Sequence, residues 1–396
     1  MKKVISLALC SLAILTAGAQ KANVEQAKKL AGKVEKIGEA RNFINQALQN
    51  PETANQAETY YIAGKVEWDA FNKNKQNMSI NPAKVDPLQM GEELLNGYDY
   101  FVQVFPLEAN DPKAKYSKEL QKKIAEKTND FFDAGVVFYN TEQFPPAYKA
   151  FMTFGDMPDQ SFLGNQAPEI ADTVRASAYF NAGLCAWTLN ELDDAAIAFK
   201  KARENNYTDP NACIYEIACW QNLSQRDESR LEEAKAKVLD AATAGYNQFG
   251  FSQPVFLNNI VNSKLNTDDE QGALAIANQA IETNPEAAGL YGLRAFVYDR
   301  IGNDDASEAD YRKAASMPDV DAETLKNASK KMLRIGQNKW NDIPLGDANA
   351  LAKKKEIKTD YFEAAKQMID KVKAIDPNDP DVEYILESVD YTLTLN

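Results

Sequence analysis

One spacing of ring-bearing and small residues constrains the fold of this chain more than any other feature. Its clearest copy has a large ring, a small residue four positions later, an alanine twelve further on, a second ring four after that, and an alanine three beyond. These positions are held by Tyr179, Gly183, Ala195, Phe199 and Ala202. Residues three or four apart lie on one face of an α-helix, so the copy predicts two helices that pack together.

The same spacing recurs along the chain. Two complete copies consist of Phe131, Gly135, Ala147, Phe151 and Phe154, and of Tyr291, Ala295, Ser307, Tyr311 and Ala314. A partial copy consists of Leu257, Val261, Ala273, Ala277 and Ala280. Ala280 and Ala314 are 34 residues apart, and self-similarity at a fixed period indicates a repeat array. Prolines at 158, 285 and 318 follow the copies, and proline cannot continue a helix. No stretch shows the strict alternation of a strand, so the chain is predicted to be a series of helix pairs.

This pattern resembles the tetratricopeptide repeat family, whose signature places a large ring, Leu-Gly, Tyr, Ala, an aromatic residue and Pro at fixed offsets. The resemblance implies an all-α fold, a right-handed superhelical solenoid of antiparallel helix pairs. It implies about seven to eight repeats, followed by a C-terminal capping helix. One repeat domain is expected over 20–396, with the strongest repeats at 128–158, 176–208, 254–285 and 288–318 and with insertions near 72–90 and 338–352.

The first residues have the layout of a secretory signal peptide. Lys2 and Lys3 precede the apolar stretch 4–15, and the pattern Ala17-x-Ala19 follows it, which predicts cleavage after Ala19. A transmembrane anchor is the alternative, but the apolar stretch has about 12 residues and a bilayer requires roughly 20. The mature chain is therefore expected to be exported, to the periplasm of a Gram-negative bacterium or to the medium.

Charge and composition argue against several kinds of function. Loss of Lys2 and Lys3 with the signal peptide takes the formal charge from −14 to −16, whereas binding to nucleic acid needs clustered basic residues. The chain contains no histidine, which removes the commonest general base and imidazole metal ligand. Phosphate-binding and dinucleotide-binding glycine motifs are absent as well. The sequence therefore predicts no catalytic residues, no cofactor and no metal site.

Three cysteines remain in the mature chain. Cys213 and Cys219 are six residues apart in a predicted helix, so a rise of about 1.5 Å per residue separates them by roughly 9 Å. That distance is too long for a disulfide. Cys185 could pair with one of them at most, and the favoured interpretation is three small residues buried in helix packing.

The resemblance also implies a binding surface. In this family the concave wall is lined by the face of each first helix that points away from its partner. The residues on that face here are Tyr61, Trp68, Phe132, Tyr139, Phe180, Trp187, Tyr215, Asn222, Asn258, Asn262, Phe296 and Arg300. Rings offer contact area and asparagines offer directional hydrogen bonds, a combination suited to a peptide or a sugar. The alternative is that the rings pack against the chain itself, for example against an insertion folded into the groove.

Two functions are compatible with these observations. The first is an exported scaffold that binds a protein or peptide partner along its concave face, as solenoids do without catalytic chemistry. The second is a glycan-binding protein of the cell envelope that uses the same aromatic face. The sequence does not identify the partner.

Overall fold

The computed structural model describes residues 21–395, and its regular elements within that range are all helical. The predicted signal peptide lies outside the described residues. No helix between residues 21 and 395 is both long enough and apolar enough to cross a membrane. The chain divides into two compact units, the first ending at Leu231 and the second beginning at Glu232.

Unit 1 consists of antiparallel helix pairs and the segments that join them. Its helices are α1 (21–30), α2 (Ile37–Leu48), α3 (Ala57–Ile80), α4 (Pro87–Glu108), α5 (Ser117–Ala125), α6 (Thr128–Asn140), α7 (Phe144–Asp156), α8 (Asp172–Thr188), α9 (Leu192–Glu204) and α10 (Asn211–Arg226). The pairs α3–α4, α6–α7 and α8–α9 pack along their lengths. Of the four repeats predicted most strongly, those at 128–158 and 176–208 correspond to the second and third pairs.

Unit 2 continues the same pattern. Its helices are α11 (Leu231–Phe249), which begins at the unit boundary, α12 (Pro254–Leu265), α13 (Glu270–Thr283), α14 (Ala288–Arg300), α15 (Asp304–Ser316), α16 (Ala322–Asn341), α17 (Ala350–Ile357), α18 (Ala364–Ile375) and α19 (Pro380–Thr394). A π-helical turn, Lys358–Glu363, joins α17 to α18. The pairs are α12–α13, α14–α15 and α16–α18, and α19 packs on α18. The all-α solenoid architecture and the terminal helix predicted from the sequence are confirmed.

The recurring small residues make room for the recurring rings. A Cβ built on Gly183 would lie 2.6 Å from the Phe199 ring, and one on Gly135 would lie 2.7 Å from the Phe151 ring. Both distances are far below a normal carbon–carbon contact of about 3.5–4.0 Å. Each pair therefore packs a ring of the second helix directly on the backbone of the first, which explains the spacing found in the sequence.

The predicted insertions lengthen helices as well as loops. Residues 72–90 form the last turns of α3, a short connection and the first turn of α4, so these helices reach 24 and 22 residues. Residues 338–352 contain the end of α16, a loop and the start of α17. A further helix, α5, lies in the connection between α4 and α6 and was not predicted.

Cys185, Cys213 and Cys219 are buried thiols that form no disulfide among the described residues, as the favoured interpretation expected. Burial raises the pKa of the Cys185 and Cys219 thiols to about 12. Both thiols therefore stay protonated at neutral pH and serve as small core residues.

Candidate functional site

In unit 1, Trp68 does not lie on an open wall. Its side chain is 4% exposed, its indole N–H donates to the carbonyl oxygen of Leu94 at 3.0 Å, and its ring meets Phe101 edge-on at 4.8 Å. The reason is Gly97 on α4, where an added Cβ would lie 2.0 Å from the indole. The glycine opens a slot that takes the ring, so the assignment of Trp68 to the binding surface was wrong.

Two further rings of unit 1 are covered by connecting segments. Tyr61 stacks on Tyr116 at 4.2 Å, and its hydroxyl donates to Glu119 at 2.9 Å. Phe180 stacks on Tyr207 at 4.4 Å. At these two positions the alternative interpretation holds, since the chain fills its own wall. A sugar ring would need these aromatic faces free for stacking.

The remaining unit 1 candidates also contact their own helix pair or the one beside it. Phe132 meets the Phe151 and Phe154 rings edge-on, Trp187 meets Tyr215 edge-on at 5.4 Å, and Tyr215 stacks on Phe199 at 5.1 Å. The Asn222 amide donates to the carbonyl oxygen of Ala218 in its own helix. Tyr139 is the most exposed of these rings at 37% and packs edge-on against Phe144. Unit 1 therefore offers isolated ring edges but no continuous aromatic wall.

Unit 2 contains a groove of about 650 Å³. We use "the groove" below for the space between the first helices of three successive pairs, α12, α14 and α16. Asn258 and Asn262 line it from α12, and Phe296 lines it from α14. The structure thus brings three of the predicted residues together. Arg300, one turn beyond Phe296, is exposed and does not line the groove.

α14 approaches the start of α16 closely at Gly292. A Cβ built there would lie 2.6 Å from Thr324, so no side chain can project from α14 at that position, whereas a Cβ on Gly289 would make an ordinary contact with Asp321 at 3.4 Å. The apolar lining comes mainly from Phe251, Pro254, Leu257, Leu290, Leu293 and Phe296.

Polar groups surround this apolar lining. Asp319 accepts a hydrogen bond from the backbone N–H of Ala288 at 3.3 Å, and Asp321 accepts from the backbone N–H and the hydroxyl of Thr324 at 2.7 and 2.8 Å. These carboxylates cap the amino ends of α14 and α16, where negative charge is stabilised. Glu323, the third acidic residue of the lining, forms an ion pair with Lys326 at 3.0 Å. We call Asp319, Asp321 and Glu323 the acidic mouth.

Several polar side chains of the groove make no hydrogen bond to the described residues, among them those of two asparagines on α12 and one tyrosine on α15. The amides of Asn258 and Asn262 make no side-chain hydrogen bond to the described residues, and neither does the hydroxyl of Tyr311. Tyr311 belongs to α15, is 3% exposed and lines the groove. Its burial raises its pKa well above the usual range, so the phenol stays protonated and able to donate.

The acidic mouth and Tyr311 were not predicted as site residues. The repeat spacing predicts Tyr311 as a packing residue, and α16 was not predicted as a first helix. One sequence feature could have revealed α16, because Asp321 stands three residues before Thr324 in the pattern of a helix cap.

Comparisons with known proteins agree with this architecture. Residues 176–206 match the sequence family Tetratricopeptide repeat, and these residues include most of α8 and all of α9. No curated protein sequence matches the chain.

Solved structures similar to this chain include two tetratricopeptide repeat proteins. One is a tetratricopeptide repeat protein from Parabacteroides merdae, with 13% identity, 67% of this chain and 99% of that chain covered, and a TM-score of 0.37. Another is a thermophilic repeat protein of Thermus thermophilus, with 16% identity, coverage of 55% and 99%, and a TM-score of 0.36. A third similar structure is yeast Tom70, with 12% identity, coverage of 94% and 88%, and a TM-score of 0.33.

Proposed function

We propose that this chain, a tetratricopeptide-repeat protein, is an interaction scaffold that binds an extended polypeptide segment of a partner protein in the groove of unit 2. One observation carries the proposal. Three successive first helices line an apolar groove, in which the amides of Asn258 and Asn262 make no hydrogen bond to the residues that the structure describes.

The spacing of these amides suits an extended chain. Asn258 and Asn262 are four residues apart on α12, which separates them by about 6 Å along the helix. Two residues of an extended peptide span nearly the same distance, about 6.6 Å. The two amides can therefore pair with alternate backbone groups of one bound segment.

The apolar lining supplies the rest of the binding energy. Leu257, Leu290 and Leu293 can cover one large apolar side chain of the segment, and burying such a side chain is worth about 1.5–3 kcal/mol. The volume of about 650 Å³ lies within the range of roughly 300–1,000 Å³ that ligand pockets occupy.

A display selection tests this function. Wild-type protein would be used to enrich binders from a library of random 12-residue peptides, and the enriched peptides would then be tested on two variants. Asn258→Trp/Asn262→Trp places two rings in the groove from exposed positions, and we expect it to lose binding. Tyr139→Ala/Trp187→Ala alters unit 1 and should retain binding. Enrichment of no peptide, or equal binding to the blocked variant, would overturn the proposal.

We also propose that the chain is exported, with cleavage after Ala19. The support is the basic, apolar and small-residue order of the first 20 residues, which is that of a signal peptide. Amino-terminal sequencing of the protein recovered from its native cells tests this, and a mature protein that still begins at Met1 would contradict it.

A further inference from the structure

The groove has a strongly asymmetric charge. Its lining includes the three carboxylates of the acidic mouth, and none of the residues that line it is a lysine or arginine. Lys326 pairs with Glu323, but its ammonium group also contacts Asp379 at 2.9 Å and Asp381 at 3.6 Å. One ammonium group shared among three carboxylates leaves a surplus of negative charge beside the groove.

The helix caps leave the carboxylates able to bind a ligand. Asp319 uses one oxygen for Ala288, and Asp321 accepts two hydrogen bonds from Thr324. An ionised carboxylate has about four lone-pair sites, so each can accept a further charge-assisted hydrogen bond. A cation at this place would meet two or three carboxylates at once, which is worth more than a single exposed pair.

Tyr311 adds a hydrogen-bond donor to the lining of the groove. Its side chain is 3% exposed as a whole, but its hydroxyl is not one of the buried atoms that lack a partner, so the hydroxyl keeps contact with solvent. It makes no hydrogen bond to the described residues and is therefore available to a ligand. An acceptor on the occupant, such as a backbone carbonyl, would satisfy it.

We propose that the occupant of the groove is a cationic extended segment. A lysine or arginine side chain of the segment pairs with the acidic mouth, a neighbouring large apolar side chain fills the groove between α12 and α14, and a backbone carbonyl accepts from the Tyr311 hydroxyl. This inference rests on the function proposed above and adds the chemistry of the partner.

The test uses the same library of random 12-residue peptides and one charge-removing variant. Asp319→Asn/Asp321→Asn/Glu323→Gln removes three charges from the acidic mouth and retains the helix caps, because asparagine caps as well as aspartate. The matched control, Glu282→Gln/Asp305→Asn/Glu387→Gln, removes three charges from exposed positions of unit 2 outside the groove. It accounts for non-specific attraction between basic peptides and an acidic protein.

We expect wild type and the control to enrich peptides with a lysine or arginine next to a large apolar residue. A synthetic peptide of that kind, labelled and followed by fluorescence anisotropy, should bind the charge-removing variant about tenfold more weakly. Binding to the control should change less than twofold. Tyr311→Phe should weaken binding about fivefold through loss of one hydrogen bond, while its thermal unfolding temperature should not fall.

Two failures are distinguishable. Neutral or acidic peptides that bind wild type and are lost from Asn258→Trp/Asn262→Trp would refute the cationic occupant and leave the groove function intact. Equal binding of basic peptides to wild type and the charge-removing variant would refute it in the same way. Binding that survives the blocked groove would refute the proposed function itself, and this inference with it.

Discussion

The contact between Gly183 and the Phe199 ring predicts that Gly183→Ala destabilises unit 1. Alanine favours a helix over glycine by about 1 kcal/mol, so helix propensity alone predicts stabilisation. The new Cβ, however, would lie 2.6 Å from two carbons of the ring, about 1 Å too close. Phe199 is 0% exposed and cannot retreat. Overpacking of this kind costs about 1–3 kcal/mol, so after subtraction of the gain in helix propensity we expect a net loss of up to about 2 kcal/mol.

The matched control is Gly38→Ala in α2. Gly38 is exposed, and a Cβ there would meet nothing within 4 Å. This substitution should stabilise the protein by about 0.5–1 kcal/mol. Urea unfolding followed by circular dichroism measures both changes, and the double variant Gly183→Ala/Phe199→Leu should recover part of the loss. Stabilisation by Gly183→Ala, or equal effects at the two glycines, would refute the packing argument.

Two further predictions concern a buried hydroxyl and a buried carboxylate. Ser307 is 0% exposed, and its hydroxyl has no partner among the described residues. Because a buried hydroxyl without a partner costs free energy, Ser307→Ala should raise the free energy of unfolding by about 1–2 kcal/mol. A lower urea midpoint of the variant would contradict this. Burial alone would raise the pKa of Glu108, but hydrogen bonds from the Ser117 hydroxyl and from the backbone of residues 115–117 outweigh it and lower the pKa. Because the pKa of Glu108 is lower in the folded state, its ionised form stabilises the connection above the unfolded pKa, and this stabilisation is lost as pH falls below about 4. The protection factors of the amides at 109–117, which compare measured with intrinsic hydrogen exchange, should therefore fall in that range. Glu108→Gln should lower them at pH 7, and unchanged protection factors in both cases would show that this carboxylate does not hold the connection.

The architecture was predictable because its determinants are local. A ring and a small residue that meet within one helix pair, such as Phe151 and Gly135, are separated by one short turn, so their spacing in the sequence is fixed by helix geometry. The lack of a disulfide between Cys213 and Cys219 was predictable for the same reason. The helix α5 was missed, because its attachment depends on Glu108 accepting hydrogen bonds from residues 115–117, and nothing in the repeat spacing encodes that.

The candidate site was predicted in part. Asn258, Asn262 and Phe296 do line one groove, because helix periodicity places them on first-helix faces that no partner helix covers. Trp68 and Tyr61 occupy equivalent faces and are nonetheless covered, by the slot at Gly97 and by the ring of Tyr116.

The sequence by itself determined the repeat, the helix pairs and the absence of histidine chemistry, since these follow from residue types and short spacings. Only the tertiary structure decided which part of the first-helix surface stays open. Tyr116 lies 55 residues from the Tyr61 ring that it covers, and Asp319 lies 31 residues from the Ala288 N–H that it caps. Such contacts depend on where connections fold in three dimensions, and periodicity along the chain carries no information about that.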